Sequence, residues 1–344
     1  MERNPYTLVF GREPLQVIPR ASMVTQVIET FCEEPPSQQV FLITGVRGSG
    51  KTVLMTEVSK QLDMHDEWVV VELNPERDML RSLAANLSSR NSLAKLFQSA
   101  KINLSLFGFG LEVTGSVPIS DIEVALDRML ASLRSHGKKL LVTVDEAAST
   151  PAMREFASAF QILVRKDLPI FLLMTGLFDN IRRLQDEKTL TFLYRAPRLD
   201  MRPLNIGTIA SNYRKNLGLD GDEALRLAQM TKGYPFAFQV FGYFVWQNGS
   251  LNEQAIDECK QYLDDYAYEK IWSELSEGDR AVASAIARAP SSRVRDVREV
   301  AQMSTNQFNP YRDRLVKKGV VDGSTYGHVS FALPLFDRYV MEHS

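Results

Sequence analysis

The sequence predicts an α/β domain built on a parallel sheet, followed by an all-helical module and then by a small module of helices and a β-ribbon. Three observations carry this. Continuous apolar runs recur at Val40–Thr44, Trp68–Leu73, Lys139–Val144 and Pro169–Thr175, as expected of strands buried on both faces of a sheet. The first of them runs straight into a glycine-rich loop and a helix. From Asn205 onward the chain changes to short amphipathic segments, the last of which read as helix, helix, helix and two short strands.

The bounds are those of an ordinary soluble chain. Its 344 residues suffice for two or three domains, and 44% apolar and 24% charged residues are typical of globular proteins. A net charge of −2 gives no overall polybasic signal for nucleic acid or anionic lipid, so any such contact requires a local patch. Cys32 and Cys259 are far apart, and the four histidines (His65, His136, His328, His343) form no cluster with metal-ligand spacing. With no apolar leader and no run long enough to span a bilayer, the expectation is a cytoplasmic protein that does not contact membrane.

Residues 4–20 are broken by prolines and a glycine. Such a segment ahead of a nucleotide site has two readings. It lies across the base, with Ile18, Pro19 and Arg20 in contact, or it is a lead-in packed on the core. A helix over about Ala21–Cys32 and a loop at Glu33–Gln38 lead to the first strand. After it comes Gly45-Val-Arg-Gly-Ser-Gly-Lys51-Thr52, a G-x-x-x-x-G-K-T motif. Gly45, Gly48 and Gly50 permit backbone conformations that a Cβ would forbid, so the N–H groups of Gly45, Val46, Arg47, Gly48, Ser49 and Gly50 can turn inward around a phosphate, reinforced by the N-terminus of the next helix. In such a loop Lys51 reaches the β- and γ-phosphates and the Thr52 hydroxyl ligates Mg²⁺. Leu54, Val58 and Leu62 mark the buried face of that helix.

The second strand ends at Asn74-Pro75, and Asp78–Phe97 reads as interrupted helix. Alternation in Lys101–Leu106 and again in Gly110–Thr114, around Phe107-Gly-Phe109, predicts a β-hairpin insertion at about 100–115. Its aromatic tip is either a contact surface or packed on its own domain. A helix over Ser120–Ser135 is predicted with Ser120 as cap and Glu123 completing a capping box.

The third strand ends in Asp145-Glu146. Behind a phosphate loop, an acid pair at a strand end suits ATP hydrolysis: Asp145 holds Mg²⁺ through water and Glu146 acts as general base toward the attacking water. The fourth strand ends in Thr175-Gly176, placing a hydroxyl at the carboxyl edge where ligands of such sheets gather. A helix over 177–193 leads to Arg195 and Arg198, either of which can serve as an arginine finger, Arg195 being preferred.

Four helices follow at roughly 206–217, 222–231, 235–247 and 252–272, the third opening at Gly233-Tyr234-Pro235. The last segment reads as helices Glu277–Arg288, Val294–Ala301 and Ser304–Lys318 with two strands within 320–331, a winged helix-turn-helix pattern. Within 291–318, five arginines and two lysines face Asp296, Glu299 and Asp313, a local excess of +4. This is either a phosphate-contacting patch on double-stranded DNA, with Arg312 and Lys317 as test positions, or the solvated face of a protein-docking module. The domains are therefore expected at 1–204, 205–275 and 276–344.

Through Gly45–Thr52, Leu140–Glu146, Thr175, Arg195 and Gly233-Tyr-Pro235 the chain resembles the P-loop ATPases of the AAA+/STAND grouping, with the module order of origin-recognition-type initiators. The resemblance implies a sheet ordered 5-1-4-3-2, a helical lid and a C-terminal winged helix. It also implies Thr175 as the residue sensing the γ-phosphate, Arg195 as the finger-like arginine and Pro235 beside the base. The second sensor arginine at the start of a lid helix is not found, which favours a STAND-like switch over an initiator. The expected function is Mg²⁺-dependent ATP binding and hydrolysis driving a nucleotide-controlled switch. The alternative is an ATP-gated DNA-binding protein in which turnover is secondary. Expected partners are ATP and ADP, possible duplex DNA, and protein partners or a second copy in a nucleotide-dependent association.

Overall fold

The structure, a computed structural model, describes residues 3–9, 14–109 and 117–344. The chain divides into two compact units. A sheet unit comprises Arg20–Thr44 and Lys51–Asp200, and a C-terminal unit comprises Met1–Pro19, Gly45–Gly50 and Met201–Ser344.

In the sheet unit, α1 (Ala21–Cys32) precedes β1 (Val40–Thr44), α2 (Lys51–Asp63), β2 (Trp68–Glu72), α3 (Met79–Ser89), α4 (Asn91–Ser99), α5 (Ile122–Ser135), β3 (Lys139–Val144), α6 (Pro151–Arg165), β4 (Ile170–Gly176), α7 (Phe178–Gln185), α8 (Thr191–Tyr194) and β5 (Arg198–Asp200). All five strands are parallel, in the order β2-β3-β4-β1-β5. This is the expected 5-1-4-3-2 order in an α/β P-loop fold of AAA+-like type. Every residue of β1 and β4 is buried, which explains why these strands read as unbroken apolar runs. On one face, Phe31 of α1 packs against Phe41, Trp68 and Phe171 with ring centroids 5.1–6.5 Å apart. On the other, Leu42, Val142 and Leu172 meet Leu83, Leu126, Met129 and Phe156 from the covering helices.

Several local expectations are corrected. Residues 101–106 form no strand. Asn103 Oδ1 accepts the Ser105 N–H (3.1 Å), and the chain turns into a single 3₁₀ turn, Ser105–Phe107. The apolar–polar alternation of the sequence is not an alternation of burial: Ile102, Asn103 and Leu104 are all buried, from an irregular segment. The second arm of the expected hairpin, Gly110–Thr114, lies outside the described residues. Phe107 and Phe109 stack on each other at 5.8 Å and pack on the core of their own unit. Helix α5 is capped by Asp121, whose carboxylate accepts the Val124 N–H, and not by a Ser120–Glu123 box. The expected helix over 177–193 is two, α7 and α8, and α6 occupies the stretch between Glu146 and Pro169 where no element was assigned.

The C-terminal unit holds α9 (Ile206–Leu217), α10 (Gly221–Met230), α11 (Pro235–Asn248) and α12 (Glu253–Leu263), then a π-helical turn (Asp264–Tyr268) running into α13 (Glu269–Ser273). The predicted helix over 252–272 is thus continuous in direction but carries a π-bulge. Next come α14 (Glu277–Arg288), α15 (Val294–Ala301), α16 (Thr305–Lys317), the antiparallel ribbon β6 (Val321–Asp322) and β7 (Ser330–Phe331), and α17 (Phe336–His343). An Arg293–His328 bridge extends the ribbon. Tyr213, Phe238, Phe241, Tyr268, Phe308 and Phe336 form one core. The N-terminal segment packs here as a lead-in: Tyr6 is buried against Tyr213 and Phe238, with its hydroxyl 2.8 Å from Asn212 Oδ1. Among the described residues, no helix is long and apolar enough to cross a membrane.

One buried charge organises the last helices. Asp279 has no exposed surface, and its carboxylate accepts from Arg314 Nε (2.7 Å) and Lys318 Nζ (3.3 Å). It also closes the capping box of α14 with Ser276. Replacing Asp279 with Ala leaves two cations facing an empty site, so urea titration is expected to show a loss of about 3–5 kcal/mol.

Candidate functional site

In the sheet unit the site grows from strand ends. Residues Val144 of β3 and Met174 of β4 are paired neighbours, so Asp145, the first residue past β3, lies beside Thr175, still within β4. Thr52, in the first turn of α2, donates its hydroxyl to Asp145 Oδ2 at 2.8 Å. The Thr175 hydroxyl donates to Asp145 Oδ1, and the Glu146 N–H lies 3.0 Å from the same oxygen and 3.2 Å from Thr175 Oγ1. Thus one carboxylate gathers two hydroxyls and a backbone donor. Thr175 is fully buried, whereas the Glu146 side chain is exposed.

Glu146 has φ +52°, a left-handed conformation disfavoured for a residue with a Cβ. Its neighbour Ala147 fixes the turn by donating N–H to the Thr175 carbonyl at 2.7 Å. Backbone strain of this kind concentrates at functional sites. The Thr52 hydroxyl and Asp145 carboxylate are hard oxygen donors held next to each other, a set that fits Mg²⁺ completed by phosphate and water.

The expected arginines separate. Arg195 caps the C-terminus of the short α8 and is exposed, with no ion pair or side-chain hydrogen bond among the described residues. Arg198 lies on β5, 3.2 Å from Asp200 Oδ1 and stacked over Phe178 at 5.4 Å, so its charge is already engaged. Arg20 is the half-buried N-cap residue of α1, and burial pulls its pKa below the usual arginine range. Ile18 packs on the C-terminal core.

In the C-terminal unit, the loop Gly45–Gly50 meets the turn before α11. Gly48 has φ +70°, and a Cβ there would fall 2.5 Å from the Tyr234 hydroxyl, so only glycine fits. Tyr234 donates its O–H to the Arg47 carbonyl at 2.6 Å, and Phe236 N–H donates to the Gly48 carbonyl at 3.1 Å. Burial pushes the Tyr234 phenol well above its ordinary pKa, so the hydroxyl stays a neutral donor. Pro235 approaches Gly50, and Arg47 pairs with Glu274 at 2.7 Å. The Ser49 hydroxyl is buried without a hydrogen-bond partner among the described residues. Sequence reasoning singled out Pro235 but missed Tyr234, Phe236 and Glu274. Gly233-Tyr-Pro235 carried the only signal, and nothing local marks Glu274.

The basic stretch 291–318 is smaller than its composition implies. Arg314 and Lys318 are committed to buried Asp279. Arg312 is half-buried beside Asp313. Arg293, Arg295 and Lys317 remain exposed, and Arg298 is half-buried. With Met303 and Gln302, Arg295 and Arg298 line a shallow concavity.

Residues 23–165 match a family described as an ATPase domain predominantly from Archaea, and residues 265–340 match a domain of unknown function, DUF8462. Comparison with curated proteins returns no match. Among solved structures, a Walker-type ATPase of Pyrococcus abyssi superimposes with a TM-score of 0.64 at 16% identity, covering 94% of this chain and 96% of its own. The ORC2 protein of Aeropyrum pernix, in ADPNP–ADP complexes, gives 0.61 at 13% identity over 97% and 95%. At these identities the likeness is one of fold. The resemblance drawn from the motifs, to AAA+-like P-loop ATPases, is borne out.

Proposed function

We propose that the chain is a Mg²⁺-dependent ATPase whose nucleotide state sets the conformation of its C-terminal unit, with output through the helix–ribbon module as a winged helix. One observation carries the reading: Thr52, Thr175 and the Glu146 N–H converge on Asp145 at the strand ends beside a complete G-x-x-x-x-G-K-T motif. In support, the archaeal ORC2 protein of like fold is described with ADPNP and ADP.

Under this proposal the loop Gly45–Gly50, through its backbone N–H groups other than that of Ser49, which donates to the Val46 carbonyl, and the Lys51 ammonium bind the phosphates. Thr52 and Asp145 hold Mg²⁺, which neutralises charge developing on the phosphate oxygens. Glu146 accepts a proton from water as the water oxygen attacks the γ-phosphorus and the bond to ADP breaks. Thr175 fixes the Asp145 rotamer and faces the γ-phosphate. Arg195 serves in trans as the finger, Pro235 and Arg20 contact the nucleotide, and the regions 1–204, 205–275 and 276–344 act as core, lid and winged helix. Because Gly45–Gly50 belongs with the C-terminal unit, a change in the loop is passed directly to α11 and onward.

The test is phosphate release measured with ATP, with and without Mg²⁺, alongside native mass in ATP and in ADP. Turnover that requires Mg²⁺ supports the proposal, and absence of nucleotide binding removes it.

The exposed Arg293, Arg295 and Lys317 favour a second reading, in which ATP gates binding to duplex DNA. Charge reversal of Arg295 and Lys317 is then expected to weaken duplex binding about tenfold or more at low salt and to lower the slope of log affinity against log salt by about two, read by fluorescence anisotropy. No binding by the unmodified chain at low salt eliminates this reading and leaves the ATPase proposal intact.

A further inference from the structure

We propose that Tyr234 and the Arg47–Glu274 ion pair form a latch on the back of the phosphate-binding loop, and that this latch governs how fast nucleotide leaves. The proposal rests on the nucleotide-binding reading above, and all of its groups lie within the C-terminal unit.

A phosphate loop works through the direction of its N–H groups. A trans peptide places its N–H opposite its C=O, so whatever holds a loop carbonyl also aims the next N–H. Two consecutive carbonyls are held here: that of Arg47 by the Tyr234 hydroxyl, at 2.6 Å, and that of Gly48 by the Phe236 N–H, at 3.1 Å. The N–H groups of Gly48 and Ser49 are thereby fixed, and the latter is turned onto the Val46 carbonyl at 3.2 Å.

The side chain of Arg47 extends the fastening. Its Nε and terminal nitrogen donate to Glu274 Oε1 at 3.0 and 2.7 Å, a forked approach to a single oxygen. Glu274 is also 3.9 Å from Lys270 on the preceding helical turn. The pair is about one-third exposed on each side, so it can open without unfolding its surroundings. Glu274 follows α13 directly after the π-helical turn, and Val46 lies close to Gly319 at the start of the ribbon. Three parts of one unit therefore grip the loop: the turn before α11, the end of α13 and the approach to the ribbon. A loop gripped in this way cannot relax around departing phosphates until the grip loosens, and the ion pair is the part most open to solvent and salt.

Release of a fluorescent N-methylanthraniloyl-ADP, followed by stopped flow after chasing with ADP, tests the latch. Glu274→Gln is expected to release about two- to fivefold faster, as befits a half-exposed pair. Tyr234→Phe is expected to release up to about tenfold faster, through loss of a buried hydrogen bond. The exchanged pair, Arg47→Glu with Glu274→Arg, restores the rate toward that of the unmodified chain, which a merely structural role for either residue would not produce. Raising salt from low to high narrows the gap between the unmodified chain and Glu274→Gln. Equal release rates for the unmodified chain, Glu274→Gln and Tyr234→Phe overturn the latch while leaving nucleotide binding in place. Failure of the unmodified chain to take up the fluorescent ADP overturns the nucleotide reading and the latch together.

Discussion

Glu146→Gln is expected to bind ATP as the unmodified chain does and to lose turnover about 10²- to 10⁴-fold, the range for removing a general base. The amide is isosteric with the carboxylate, and the side chain is exposed, so no buried charge is stranded and stability should be unchanged. The backbone in this turn is set by bonds from the Glu146 and Ala147 N–H groups to Asp145 and Thr175, none of which involves the Glu146 carboxylate. The substitution therefore removes proton acceptance while leaving in place the backbone bonds that set the turn. Phosphate release and equilibrium binding of a fluorescent ATP analogue, measured on the same preparation, separate the two effects. A variant that hydrolyses ATP at the full rate shows that the base lies elsewhere. A variant that neither binds nor hydrolyses shows that the turn, with its left-handed Glu146 at φ +52°, depends on the carboxylate after all.

The parts of the fold that were legible from sequence are those where one local pattern decides the structure. Runs such as Val40–Thr44 and Ile170–Thr175 are apolar on both faces because helices cover both sides of the sheet, so continuity of apolar residues alone identifies them. Helices α1, α9, α14 and α15 appear at the positions expected from their periodicity. Strand β5 escaped because it has three residues and only Leu199 is buried, too short for any period to register. The first arm of the expected hairpin failed for a different reason. An apolar–polar–apolar pattern at Ile102–Leu104 is compatible with a strand, but Asn103 is buried with its neighbours and its side chain accepts from the Ser105 N–H to form a turn instead.

The site divides along the same line. Gly45–Thr52 and Asp145-Glu146 are contiguous motifs, so their chemistry is written locally. The tie between Arg47 and Glu274 spans 227 positions, and no spacing rule reaches that far. The basic stretch shows the converse. Counting charges over 291–318 treats Arg314 and Lys318 as free, whereas a single acid from α14 claims both.

Lys51→Ala is expected to weaken ATP binding by about 3–5 kcal/mol, or roughly 10²- to 10⁴-fold, and so to remove it from any micromolar assay. The reasoning is electrostatic. Under the proposed assignment, the loop N–H groups and a helix N-terminus supply partial charges, whereas Lys51 supplies a full charge toward the β- and γ-phosphates. A methyl group in its place leaves the phosphates without their principal counter-charge. Because Lys51 is the first residue of α2, where alanine is an excellent helix former, the helix itself should not suffer, and an unchanged melting temperature without nucleotide is the control. The two effects then separate in the thermal shift: ATP raises the melting temperature of the unmodified chain through preferential binding to the folded state and leaves that of Lys51→Ala where it was. Tight binding of ATP by a folded Lys51→Ala chain would place the phosphate site elsewhere in the molecule, and the roles assigned to Thr52, Asp145 and Glu146 would fall with it.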